Sequence, residues 1–305
     1  MSLKILIVGA GGVGGYFGAH LAKVGADVTF LLRGERAESV RLNGLLVSTP
    51  DGDFAVQSKV VLKDELQPDF DLVILAPKAY DLDSVLESLE PVRHSKAVFL
   101  PFLNGLSHIK RVETWCSADQ VMGGMANIVA TLTSGGLIKR ITDRHILTFG
   151  HRFSSHEQLA RQFFQICQLA DFDSVYSEDI ESSMWGKWAF LATLAGVSTL
   201  FGVALGDVVV TPYGKNVIVG MYDEACAIAA ENKFPISEKT RSQALDLLTQ
   251  NNSALTASMM RDLHQGHRTE HEHILGDLIR SGTKESVEYP FLMTAYTNML
   301  IRAKN

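Results

Sequence analysis

Residues 3–33, LKILIVGAGGVGGYFGAHLAKVGADVTFLLR, decide the fold. Leu3–Val8 is apolar apart from Lys4, as expected for the central strand of a parallel sheet. Gly9, Gly11 and Gly14 follow at G-x-G-x-x-G spacing. Gly9 permits a sharp turn, Gly11 lets a pyrophosphate approach the backbone, and Gly14 lets the next helix pack against the strand. The start of that helix offers free N–H groups and a partial positive charge to phosphates. A turn at Gly25–Ala26–Asp27 and a second strand at Val28–Leu32 complete the βαβ context that the fingerprint requires.

The residue closing the second strand selects the nucleotide. A carboxylate there would accept the ribose 2′-hydroxyl of NAD and repel a 2′-phosphate. Here the strand ends Leu31–Leu32–Arg33, Arg36 follows one turn on, and no acid occurs before Glu35. A guanidinium matches a phosphomonoester with paired charge-assisted hydrogen bonds, so the expected cofactor is NADP(H).

The 305 residues suffice for two domains and a large core, and with 46% apolar and 20% charged residues the composition is globular. A net charge of −6 supplies no basic field for nucleic acid. Cys116, Cys167 and Cys226 are far apart and odd in number, which suggests buried thiols in a reducing compartment, the cytoplasm, rather than disulfides. The chain enters the fold at Leu3, so its start reads as strand and not as a signal peptide. Trp188–Gly206 is long enough to span a bilayer, but it is rich in Gly, Ser, Thr and Ala and stands alone; a buried core helix is expected, and no membrane.

Strands and helices alternate up to about Ser177. Asp51–Gly52 reads as a hairpin turn between Leu45–Ser48 and Phe54–Ser58. Leu72–Ala76 reads as a buried strand, Leu82–Leu89 as a helix, and Ala97–Leu100 as a strand broken by Pro101. Val121–Gly124 is expected to continue the sheet, Ser134–Gly135–Gly136 to turn a hairpin between Asn127–Leu132 and Leu137–Ile141, and Ile146–Phe149 to add a strand. A helix over His156–Leu169 and a strand at Asp173–Tyr176 close the first part. From Asp179 the pattern is nearly all helical, with Ile218, Met221, Tyr222, Ala225, Ile228 and Ala229 on one stripe. The expected architecture is α/β: an N-terminal Rossmann dinucleotide-binding domain over 1–178 and an all-helical C-terminal domain over 179–305, with an interdomain cleft.

Reacting residues should sit at the carboxyl ends of the strands or come from the second domain. Lys78 and Asn104 both lie just beyond strand ends. Lys187 is the only charged residue between Glu181 and Asp207. Burying an unpaired ammonium costs several kcal/mol, so it must reach a cleft, meet a carboxylate or lose its proton, and all three suit a general acid. In Ser258–Gly276, Thr269-x-x-Glu272 has capping-box spacing, which predicts Thr269 as N-cap and Glu270 in the first helical turn. Asp262 and Glu272 compete as partners of Lys187. His267 and His271 are four apart, but the predicted cap separates them, so no metal is expected.

These residues resemble the ketopantoate reductase (2-dehydropantoate 2-reductase) family over essentially the whole chain. The resemblance rests on GAGGVGG with Arg33, Lys78 in LVILAPK, Asn104–Gly105, Trp185-x-Lys187, and the block Ser258, Met259, Asp262, Thr269, Glu270 and Gly276. It implies NADPH-dependent reduction of a 2-keto acid, as of 2-dehydropantoate to pantoate in pantothenate biosynthesis. It implies cofactor contacts from Gly9, Ala10, Gly11, Gly12, Val13, Gly14, Arg33, Lys78 and Asn104. It further implies Lys187 as general acid, Glu270 as the carboxylate beside it, and Asn104, Lys187 and Ser258 as substrate contacts. Family asparagines are replaced by Leu191, Ala195 and Leu205, which implies a less polar pocket. The alternatives are a reductase or dehydrogenase of another 2-keto or 2-hydroxy acid, and a non-catalytic NADP(H)-binding sensor. A homodimer is compatible with the helical domain.

Overall fold

The computed structural model describes residues 3–283 and 288–303. The chain forms two compact units, Met1–Leu103 with His108–Ile180, and Asn104–Ser107 with Glu181–Asn305.

The first unit holds two five-stranded sheets. The first sheet contains β1 (Lys4–Val8), β2 (Asp27–Leu31), β5 (Lys59–Val61), β6 (Leu72–Leu75) and β7 (Val98–Pro101), all parallel in the order β5-β2-β1-β6-β7. Both faces of the central strand are buried, which is why β1 lacks a polar alternation. Ile5 and Ile7 enter one core with Phe30, whereas Leu6 and Val8 enter another with Val73 and Leu75. Each such side chain, fully buried, contributes roughly 1.5–3 kcal/mol.

Helix α1 (Gly12–Lys23) follows β1, and α2 (Gly34–Asn43) follows β2. The antiparallel pair β3 (Leu45–Thr49) and β4 (Gly52–Val56) bears out the hairpin at Asp51–Gly52. Helices α3 (Leu82–Ser88) and α4 (Ser107–Trp115) flank β7 in sequence. The strand ends at Pro101 as expected, one residue later than read, since Pro101 itself is the last residue of β7 and pairs with Leu75. The position tolerates proline because β7 is an edge strand.

The strands after residue 120 depart from expectation. Apart from one bridge between Phe99 and Val121, they do not extend the first sheet. β8 (Gly123–Leu132), β9 (Ile138–Gly150) and β10 (Asp173–Tyr176) build the second sheet with β3 and β4, in the order β10-β9-β3-β4 with β8 on β9. The segments read as Leu137–Ile141 and Ile146–Phe149 merge into the single strand β9, which starts at Ile138, and Asn127–Leu132 belongs to a strand that starts at Gly123. Alternation identifies a strand but carries no information about which sheet it joins. Helix α5 (Glu157–Cys167) buries Ala160, Phe163 and Cys167 in this core.

The second unit is helical: α6 (Ile180–Phe201), α7 (Leu205–Val209), α8 (Gly214–Glu231), α9 (Glu238–Leu248), α10 (Ser258–His264), α11 (Asp277–Ser281) and α12 (Pro290–Arg302). The predicted α8 stripe, Ile218, Met221, Tyr222, Ala225, Ile228 and Ala229, is fully buried. Glu224 of α8 accepts from the backbone N–H groups of Phe291 and Leu292 at 3.0 and 2.8 Å, capping α12, whose first residue is Pro290. α6 is apolar nearly all round because most of it is core, and no described helix is long and apolar enough to cross a membrane.

Candidate active site

In the first unit the glycine turn has the geometry its spacing predicts. Gly9 sits at φ +91°, a conformation L side chains rarely adopt, and its N–H bonds to the Leu31 carbonyl at 3.2 Å. A Cβ at Gly14 would lie 2.6 Å from the Gly9 carbonyl oxygen and 3.0 Å from the Ala76 Cβ, so Gly14 permits close helix–strand packing. A Cβ at Gly11 would meet no protein atom within 4 Å, so packing within the chain does not explain that glycine. Gly11 is the N-cap of α1, no side chain caps it, and the first turn holds no acid. Among the described residues no side chain caps the N-terminal N–H groups, and the turn fits a dinucleotide diphosphate.

Gly12 has a different reason to be glycine. A Cβ there would stand 2.4 Å from the Ala130 carbonyl oxygen of β8. The β8–β9 hairpin packs against the turn, a contact that the local motif could not reveal. Ala10 and Val13 complete the turn sequence. Arg33 is the N-cap residue of α2, and its Nη2 donates to the Ser84 carbonyl and Ser88 Oγ at 3.0 and 2.9 Å. The fork is thus anchored on α3, while Nη1 and Nε take no part in those bonds. Lys78 is exposed just beyond β6, where it precedes a short 3₁₀ turn over Ala79–Asp81.

In the second unit, α6 carries Lys187, which is half-buried. Desolvation pushes its ammonium pKa down to about 8, and the Glu270 carboxylate opposes that fall. Glu270 is only 4% exposed. Of the carboxylates considered from sequence, Glu270 is the one whose charge acts on the lysine; Glu272 instead accepts from Arg280 Nη2 at 2.8 Å and from the Tyr296 hydroxyl.

The predicted capping box at Thr269 and Glu272 does not form. Thr269 Oγ1 bonds with His271 Nδ1 at 2.7 Å, and the helix starts at His271, with the Glu270 carbonyl accepting from the N–H groups of His273 and Ile274. Glu270 therefore stands at the helix entrance, not inside its first turn. Tertiary partners for Glu272 outcompete the local cap.

Residues Glu272–Gly276 form a π-helical turn that runs into α11. Wide turns of this kind concentrate at functional sites, and sequence carries no signal for them. Trp188, next to Lys187, donates its indole N–H to the Ile274 carbonyl at 3.0 Å. Gly105 sits at φ +77°, where a Cβ would be 2.6 Å from the His273 carbonyl oxygen and 3.7 Å from the Trp188 ring. Ser107 hydrogen-bonds to the Asp277 carboxylate, which also bonds His273 Nδ1 at 3.2 Å and Arg280 Nη2 at 2.7 Å. The segment carrying half-buried Asn104 is thereby fastened to the same π turn that meets Trp188. Sequence reasoning missed Trp188, Ser107, His273 and Asp277 in this role.

Ser258 is the half-buried first residue of α10. The preceding Ala257 N–H reaches Ser198 Oγ of α6 at 3.4 Å, which ties the start of α10 to the lysine helix.

The first unit holds an uncapped glycine turn at a helix N-terminus that fits a dinucleotide, and the second holds a half-buried lysine on which a buried glutamate's charge acts. Family models described as "Ketopantoate reductase PanE/ApbA" and "Ketopantoate reductase PanE/ApbA C terminal" match residues 5–152 and 179–304, and the chain belongs to that family. It is 33% identical over 297 residues to the uncharacterized oxidoreductase YkpB of Bacillus subtilis, covering 97% of this chain and 98% of that one. It is 27% identical to the 2-dehydropantoate 2-reductase of Lactococcus lactis, covering 95% and 94%. A ternary structure of D-mandelate dehydrogenase with NADH and anilino(oxo)acetate shares the fold at TM-score 0.87 and 21% identity, with 99% of each chain covered. The protein is an NAD(P)-dependent oxidoreductase of the ketopantoate reductase type.

Proposed function

We propose that this protein reduces a 2-keto acid with NADPH and that Lys187 is the general acid. The first domain, residues 1–178, binds the nucleotide, and the second, 179–305, supplies the acid. The observation that carries the reading is a desolvated lysine, with its pKa near 8, opposed by the buried Glu270 carboxylate. The nicotinamide, when bound, supplies the hydride. As C2 receives it, charge grows on the carbonyl oxygen, where the Lys187 ammonium would donate a hydrogen bond and then a proton. Glu270 offsets part of the desolvation cost and so keeps the amine charged near neutrality.

The turn residues Gly9, Ala10, Gly11, Gly12, Val13 and Gly14 would hold the diphosphate, with Lys78 and Asn104 as further cofactor contacts. Arg33 would hold the 2′-phosphate: its guanidinium pairs with no carboxylate among the described residues, and Nη1 and Nε are outside its two bonds to α3. Asn104 and Ser258 would also contact the keto acid.

2-Dehydropantoate is the family substrate, and its reduction would serve pantothenate biosynthesis in the cytoplasm. One observation favours a less polar keto acid. The hydroxyls of Thr193, Ser198 and Thr199 all return to carbonyls of α6 itself, at 2.9, 2.6 and 2.6 Å. One turn beyond Lys187 stands half-buried Leu191, which offers an apolar surface; Ala195 and Leu205 are fully buried and belong to the helical core. An apolar site binds an unhydroxylated branched substrate without leaving a polar group unpaired. NADPH consumption against 2-dehydropantoate and unhydroxylated branched 2-keto acids tests both readings. Turnover of the unhydroxylated acids with equal or higher kcat/KM is expected, and no turnover of any 2-keto acid would reject the reductase assignment.

A further inference from the structure

Arg36 lies in the first turn of α2, three residues after Arg33. Its Nη2 donates to the Ala10 carbonyl at 3.2 Å, inside the glycine turn, and its Nη1 to the Gly136 carbonyl at the tip of the β8–β9 hairpin at 2.9 Å. Its Nε is buried without a partner. No carboxylate pairs with it among the described residues, and burial alone lowers its pKa. Carbonyl dipoles satisfy N–H groups but do not cancel the charge. The chain thus keeps a net positive charge, partly desolvated, against a turn whose residues 9–15, GAGGVGG, include no basic side chain.

Two demands could justify the cost of that desolvation. One is mechanical, because Arg36 joins the turn to the hairpin whose Ala130 carbonyl already crowds Gly12. The other is electrostatic. An anion arriving at the uncapped α1 N-terminus would meet helix N–H groups and a fixed cation behind the turn, in surroundings that screen charge less than water. A neutral donor such as glutamine could serve the strap, and only the electrostatic role requires a charge that no carboxylate among the described residues neutralises.

We propose that Arg36 is a further nucleotide-binding residue, a fixed cation at the glycine turn that serves the diphosphate shared by NADPH and NADH. The role is distinct from that of Arg33, which reads the 2′-phosphate. The proposal rests on the dinucleotide reading of the first unit.

The test is calorimetric titration of the full chain with NADPH, NADH and ADP-ribose, which carries the diphosphate without nicotinamide or 2′-phosphate. Arg36→Gln is expected to weaken all three about tenfold or more, to a similar extent, with a smaller dependence on ionic strength. Arg36→Lys, which keeps the charge, is expected to stay within about threefold of the parent. Arg36→Met preserves the aliphatic stem and supplies the same readout should the glutamine variant not fold. A loss confined to NADPH would overturn the assignment, as would unchanged affinity in the neutral variants. Equal losses in the lysine and glutamine variants, with unaltered salt dependence, would reduce Arg36 to the strap. A parent chain that binds none of the three ligands would instead overturn the dinucleotide reading and this inference with it.

Discussion

At Lys187 burial and charge oppose each other: desolvation drives the ammonium toward neutrality while the negative charge of Glu270 favours the protonated amine. A pKa near 8 leaves the amine largely protonated at neutral pH and able to release a proton readily. Because reduction needs the charged form, kcat/KM for keto acid reduction should be level below pH 8 and fall about tenfold per unit above it. A pH–rate profile without that descending limb would exclude Lys187 as the donor. Lys187→Met should lower kcat by roughly 10²–10⁴-fold and leave NADPH affinity near the parent value, because the proposed role places the ammonium on the substrate oxygen. Arg33→Ala should weaken NADPH about tenfold or more with little change for NADH, measured by direct titration. Equal losses for both nucleotides would remove the 2′-phosphate role. Arg33 could be chosen from sequence because the βαβ unit fixes where β2 ends, whereas Glu270 could not be separated from Asp262 and Glu272, since only packing decides which carboxylate faces the lysine.

Among the elements, the π turn over Glu272–Gly276 ties the neighbours of Lys187 and Asn104 together. It accepts the Trp188 indole N–H, abuts Gly105 and leads into Asp277. Gly105→Ala should destabilise the chain by about 1–3 kcal/mol, because φ is +77° and the new methyl would meet the His273 carbonyl. A urea midpoint equal to the parent's would refute this. Burial raises the Asp277 pKa, but hydrogen bonds from His273, Arg280 and Ser107 outweigh it and hold the carboxyl at about 2. The folded value lies below the unfolded one, so the stabilisation is complete above about pH 4 and is lost as pH falls toward 2. Asp277→Asn should flatten that part of the urea stability profile against pH. The capping-box spacing misled at the same place because a local hydrogen bond competes with tertiary ones. Glu272 gains Arg280 and Tyr296, and Thr269 turns to His271.

For the whole molecule, catalysis assigned to an ammonium implies that prolonged dialysis against a chelator leaves the reduction rate unchanged. A chelator-sensitive rate restored by a divalent cation would contradict the assignment. The strands β1, β2, β6 and β7, the glycine turn, the α8 stripe and the lysine in an apolar helix were all determined by sequence, because each depends on local periodicity or on chemistry carried by neighbouring residues, whereas the short edge strand β5 was not. Tertiary structure alone decided that β8, β9 and β10 join β3 and β4 in a second sheet, that this hairpin crowds Gly12, that the charge of Glu270 acts on Lys187, and that Asn104–Ser107 belongs with the helical unit. The physical reason is range. A spacing rule reports which face of its own element a residue occupies, while pairing between distant segments depends on which surfaces the whole chain can bury together.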